Sequence, residues 1–150
     1  MIRQCEAGDL DATRDLLREY AALVGEAICF TRFERELAEL PGQYAPPQGR
    51  LLLGWIDGEL AGCVALRVLS PEIAEMKRLY VRPAFRSSGL GRLLVDQVTA
   101  DAREAGYRLL RLDTLPRFER ALAMYRARGF YEIPRYGDNP DGAICFELPL

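Results

Sequence analysis

Apolar residues recur at helical spacing in two long stretches of the chain. Leu10, Thr13, Leu16, Leu17, Tyr20 and Val24 follow Asp9 at intervals of three and four, which predicts a helix capped by Asp9 and running to about residue 24. Leu90, Leu93, Leu94, Val98 and Ala102 mark a second amphipathic helix over 89–105, with Gly106 just past its end. Shorter helices are expected over 32–40 and over 119–128, the latter stopped by Gly129. Apolar runs and alternation predict strands at 2–4, 50–56, 60–69, 73–81, 107–114, 130–133 and 143–148. Asp57-Gly58 between two of these strands is a hairpin signal. The Pro/Gly-rich stretch 41–49 reads as a surface loop. The order β-α-α-β-β-β-α-β-α-β-β describes a mixed α/β sheet, antiparallel in its middle, and not a doubly wound dinucleotide fold.

Length and composition narrow the function classes. At 150 residues, with no repeat or linker, the chain reads as one domain over 1–150. Its 49% hydrophobic and 28% charged content suits a globule with a real core. A net charge of −2 excludes a grossly basic nucleic-acid binder, and no nucleic-acid partner is expected. The absence of histidine excludes triads with an imidazole base and His-ligated zinc. Cys5, Cys29, Cys63 and Cys145 are too scattered for a metal site and read as buried thiols, so no metal is expected. With no signal-like start and no apolar run of membrane length, the expected setting is cytoplasmic, away from membranes. Lys77 is the only lysine.

The chemistry concentrates where the strand at 73–81 enters a turn and then a helix. That turn contains Arg86-x-x-Gly89-x-Gly91. The first turn of a helix has unpaired N–H groups along its axis, and glycines let a ligand approach them closely. The helix dipole, Arg86 and Arg92 add positive charge, so the matching ligand is a phosphate or pyrophosphate. It is neither a Walker A loop, which needs Gly-Lys-Ser/Thr, nor G-x-G-x-x-G, since residue 94 is leucine.

These residues resemble the pyrophosphate motif Q/R-x-x-G-x-G/A of the GNAT superfamily of acyl-CoA N-acyltransferases. The preceding Leu79-Tyr80-Val81-Arg82-Pro83 is similar as well, and so is Ala121-x-x-x-Tyr125-x-x-x-Gly129-Phe130 downstream. The resemblance implies a GNAT-like fold, with a mostly antiparallel sheet splayed at the cofactor cleft and about four flanking helices. It implies acetyl-CoA as the cofactor. Leu79, Tyr80 and Val81 would receive the pantetheine arm, and Arg86, Ser87, Ser88, Gly89, Leu90, Gly91 and Arg92 would receive the pyrophosphate. The amine would attack the acetyl carbonyl directly, with no covalent enzyme intermediate.

An ammonium cannot attack, so a base is needed. Glu75, eleven residues before Arg86, matches the family's glutamate base, and Tyr125 matches the tyrosine that donates to the departing thiolate. Phe118 departs from the family pattern, where many relatives carry a pantetheine-binding asparagine. Thr114 at the end of the 107–114 strand is the candidate substitute, and Asp113 beside it is a second cleft carboxylate. Tyr20, Phe30, Arg32, Arg135, Tyr136, Asp138 and Asn139 are candidates for the acceptor site. Two arginines there would favour an acceptor with its own carboxylate. The expected activity is N-acetylation of a small metabolite or amino acid. The alternatives are a protein lysine or N-terminal acetyltransferase and a non-catalytic acyl-CoA sensor. Relatives in the family are often dimers, so a homodimer is the one protein partner considered.

Overall fold

The computed structural model describes residues 1–25 and 30–150, apart from the Phe30 side chain. The elements are β1 (Ile2–Gln4), α1 (Leu10–Val24), α2 (Phe30–Glu39), β2 (Arg50–Ile56), β3 (Glu59–Ser70), β4 (Ile73–Val81), α3 (Leu90–Glu104), β5 (Leu109–Thr114), α4 (Glu119–Ala127), β6 (Tyr131–Ile133) and β7 (Ile144–Pro149). The strands form one sheet in the order β1-β2-β3-β4-β5-β7-β6. Its pairs are antiparallel except β4 with β5. At the β2–β3 hairpin, Asp57 and Gly58 both take positive φ (51° and 80°), the type I′ geometry that matches strand twist.

Alternation along the central strands sorts side chains to two faces. Leu51, Leu53, Cys63 and Ala65 pack with Leu16, Leu17, Phe33 and Leu37 from α1 and α2. Leu52, Val64 and Leu66 face the other way, where Leu94, Val98 and Ala102 of α3 and Leu122 and Tyr125 of α4 cover them. Helices thus lie on both faces of the sheet. No helix among the described residues is long and apolar enough to cross a membrane. Cys5, Cys63 and Cys145 are free thiols, and Cys29 lies outside the described residues.

Asp9 stands at the N-cap position of α1 but does not cap it. Its carboxylate instead accepts the Glu6 backbone N–H and pairs with Arg3, closing a 3-10 turn over Ala7–Asp9. The local acceptor was near enough to compete with the helix end.

Two strand glycines seat the start of α3. A Cβ on Gly54 would lie 2.8 Å from Leu90 Cδ1, and one on Gly62 would lie 2.6 Å from the Tyr80 carbonyl oxygen and 3.3 Å from Leu90. Leu90 therefore enters a hollow that exists because β2 and β3 lack side chains there. Gly62→Ala should cost about 1–3 kcal/mol, as overpacking does. Gly8→Ala, with nothing within 4 Å, should cost little. Urea midpoints of the two variants check this.

Candidate active site

The parallel pair β4–β5 extends only from Ile73–Glu75 to Leu109–Arg111. Beyond it the two strands part, and a cleft of about 1630 Å³ opens through the gap. That exceeds the roughly 300–1,000 Å³ of an ordinary small-ligand site. At the same level β4 carries one residue more than β3, between the pairs Cys63–Tyr80 and Ala65–Lys77. Arg78 sits in this bulge with φ +62°, a conformation that costs a non-glycine residue about 1–3 kcal/mol. Its side chain holds it there. The guanidinium donates two 2.9 Å bonds to Glu36 on α2 and stacks on Tyr20 and Phe33. The bulge is thereby tied to the helices of the opposite wall.

At one mouth of the cleft the chain passes from β4 into α3. Gly89 takes φ +84° at the helix N-cap, and only the Arg92 guanidinium comes near the place of its missing Cβ, at 3.5 Å. The amides of Ser88, Leu90 and Leu93 are used by Phe85, the Ser88 hydroxyl and Gly89. Those of Ser87, Gly89, Gly91 and Arg92 have no acceptor among the described residues. Four free N–H groups beside Arg86 and Arg92 make a site for a doubly charged anion. The residues present therefore fit the pyrophosphate of coenzyme A. Arg86 also donates Nε to the Val81 carbonyl, which fixes the turn against the strand end.

Deeper in, Glu75 is 1% exposed. Arg67, directly opposite on β3, donates Nε to Oε1 at 2.8 Å, and a terminal nitrogen of the same guanidinium forms an ion pair with that oxygen at 2.8 Å. Tyr136, from the loop between β6 and β7, donates its hydroxyl to Oε2 at 2.6 Å. Burial works to raise the pKa of Glu75. The Lys77 ammonium, the Tyr136 hydroxyl and Arg67 outweigh it and hold the carboxyl below its ordinary value. A carboxylate has about four acceptor positions. Arg67 and Lys77 crowd Oε1, Tyr136 takes one position on Oε2, and a second position on Oε2 is left.

Tyr125 approaches from the other side of the sheet. It packs on Phe130 and Phe146 yet lines the cleft, and its hydroxyl bonds to no described residue. Burial pushes the phenol well up, so it stays protonated at neutral pH. Glu75 shares the face of Arg67 and Ala65, under α1 and α2, whereas Tyr125 projects from α4 on the opposite face. The gap is bordered by one group on each side.

The cleft collects most of the residues singled out from sequence: Leu79, Tyr80, Val81, Thr114, Tyr20, Arg32, Tyr136, Asp138 and Asn139, together with the phosphate turn. Asp113 and Phe118 also line it. Two candidates lie elsewhere. Arg135 turns out to the Asn139 carbonyl and Asp141, because both are nearer within its own loop. The Leu90 side chain is buried in the glycine hollow. The Phe30 side chain lies outside the described residues. Sequence reasoning missed Arg67, Glu36 and Tyr44. Arg67 could have been found by counting back across the tight β3–β4 turn to the partner of Glu75. Tyr44, fully buried in the cleft wall, has a hydroxyl without a partner among the described residues, and no sequence signal marks it.

Comparison with known proteins gives the same outline. The model of the Acetyltransferase (GNAT) family matches residues 10–130. An uncharacterised N-acetyltransferase of Schizosaccharomyces pombe is 37% identical over 134 residues, covering 88% of this chain and 82% of that protein. An acetyltransferase structure from Streptococcus agalactiae aligns with a TM-score of 0.83 at 20% identity, covering 100% of this chain and 98% of the other. The PaiA N-acetyltransferase of Thermoplasma acidophilum, solved in complex with coenzyme A, aligns with a TM-score of 0.76 at 18% identity, covering 100% and 98%. With the motif, the splayed sheet and the family match in agreement, this chain belongs to the GNAT family of acetyltransferases, whose acyl donor is acetyl-CoA.

Proposed function

We propose that the protein transfers the acetyl group of acetyl-CoA to the primary amine of a small metabolite or amino acid, by direct attack within a ternary complex. The observation that carries the acceptor class is the Tyr136–Glu75 bond. It draws the last loop down onto the acceptor side of the cleft, where a protein acetyltransferase needs an open groove for peptide.

The free amides of Ser87, Gly89, Gly91 and Arg92 hold the pyrophosphate. The exposed edge of β4 at Leu79–Val81 receives the pantetheine arm as an added strand. Thr114, on the facing strand end, takes the contact that Phe118 cannot make. On the α1–α2 face, the remaining acceptor position of Glu75 receives the incoming ammonium and takes one proton from it, and the neutral amine then attacks the acetyl carbon. Because Glu75 is a weak base, it passes that proton on to solvent. On the other face, Tyr125 donates to the sulfur as the carbon–sulfur bond breaks, and the second proton shed by nitrogen restores the phenol. Tyr20, Arg32, Tyr136 and Asn139 line the acceptor's space. Arg135 plays no part in it, so an acceptor carboxylate would have Arg32 alone of the two arginines expected.

A panel of small amines and a lysine peptide, followed by free-thiol release, tests the acceptor class. Turnover confined to small amines is expected, and turnover of the peptide alone would overturn it. The absence of thiol release with every amine in the panel would favour a non-catalytic acyl-CoA sensor. Tyr125→Phe should lower kcat by about 10²-fold, the lower end of acid–base contributions, with little change in the acceptor KM. Unchanged kcat would remove Tyr125 as the acid.

A further inference from the structure

Lys77 is the chain's only lysine, and it lies in the transfer cleft. It shares the Glu75 face of β4 two residues before Leu79, and so lies in sequence between the proposed base and the edge that receives the donor arm. Its Nζ is 3.7 Å from Glu75 Oε1 and donates no hydrogen bond among the described residues, since Arg67 takes the near positions on that oxygen. The side chain is 20% exposed. The ammonium is largely withdrawn from water and keeps Glu75 as an ion-pair partner at 3.7 Å.

We propose that the enzyme acetylates its own Lys77 when acetyl-CoA is bound and no acceptor fills the cleft. The proposal rests on the donor placement given above. Neutral Nζ forms the amide bond to the acetyl carbon, the carbon–sulfur bond breaks, and the proton shed by nitrogen ends on the thiolate. The products are Nε-acetyl-lysine and coenzyme A thiol, and no other reactant is consumed. Burial lowers the Lys77 pKa against the pull of Glu75, which enlarges the neutral fraction that can attack. The product has lost its positive charge and projects into the acceptor's space beside Glu75, so the modification would hold back turnover until removed.

The composition makes the test simple, because the described chain offers just one other primary amine. That is the Met1 ammonium, bonded to the Trp55 carbonyl at the β1 edge, three strands from β4. The protein is incubated with acetyl-CoA and no acceptor, weighed intact, and mapped by cleavage at arginine. A parallel sample is labelled with acetic anhydride in the presence and absence of coenzyme A. The expected result is one acetyl group per chain, on Lys77. It should be suppressed by excess coenzyme A and absent from a folded Gly89→Glu variant. Coenzyme A should also protect Lys77, but not Met1, from the anhydride. Protection without self-acetylation would overturn the proposal and leave the donor site standing. Equal acetylation of wild type and Gly89→Glu, undiminished by coenzyme A, would mean solution chemistry and overturn it as well. Absence of both protection and acetyl-CoA binding would remove the donor site and the proposal together.

Discussion

Gly89→Glu should abolish acetyl-CoA binding while the protein stays folded. Gly89 occupies the left-handed region at φ +84°, where a side chain costs about 1–2 kcal/mol. That is a fraction of the ~5–15 kcal/mol that holds a domain together. No main-chain atom blocks the new Cβ, since its near neighbour is the movable end of Arg92. The added carboxylate lands among the four free amides and competes with the pyrophosphate for them. Losing two charge-assisted hydrogen bonds removes about 3–6 kcal/mol, which corresponds to roughly 10²–10⁴ in Kd. Calorimetry on wild type, Gly89→Glu and Gly8→Glu separates position from charge, because Gly8 stands in open space. Wild-type affinity in folded Gly89→Glu would move the donor site away from this turn.

Glu75→Gln should lower kcat/KM for the acceptor by about 10²–10⁴, the range for loss of a positioned proton acceptor, and leave the Kd of acetyl-CoA near wild type. Glutamine keeps the shape and still accepts from Arg67, but it takes no proton. The same substitution has a signature in stability. In the folded protein the Glu75 carboxyl lies below its ordinary value, and in the unfolded chain it returns to that value. The unfolded state therefore binds the proton first. The carboxylate's contribution is complete above the ordinary carboxylate range and is lost as pH falls through the folded value. Urea midpoints should accordingly fall less steeply with acid in Glu75→Gln than in wild type. Parallel curves would mean that the partners of Glu75 do not stabilise its charge.

The elements were legible in the sequence because each is announced locally. The helix from Leu10 shows its 3–4 spacing, the hairpin at Asp57-Gly58 its turn chemistry, and α3 and α4 their following glycines. The phosphate turn was legible for the same reason, being one continuous segment. Other features depend on pairings that no short window contains. The place where β4 leaves β5, the insertion of β7 between β5 and β6, and the reach of Tyr136 back to Glu75 across 61 residues are of this kind. Arg135 and Tyr136 show the limit clearly. They are adjacent in one loop, both were candidates for the acceptor site, and only Tyr136 lines the cleft, a choice made by the bend of the loop.

The open seam between β4 and β5 ties the fold's endurance to its donor's concentration. A ligand that binds only the folded chain adds RT ln(1 + [L]/Kd), about 2.7 kcal/mol at a hundred times Kd. That matches what a lesion such as Gly62→Ala is expected to remove. A weakened chain would then survive where acetyl-CoA is plentiful and melt where it is scarce. The metabolic state of its surroundings would thereby set how much sequence drift this sheet can tolerate.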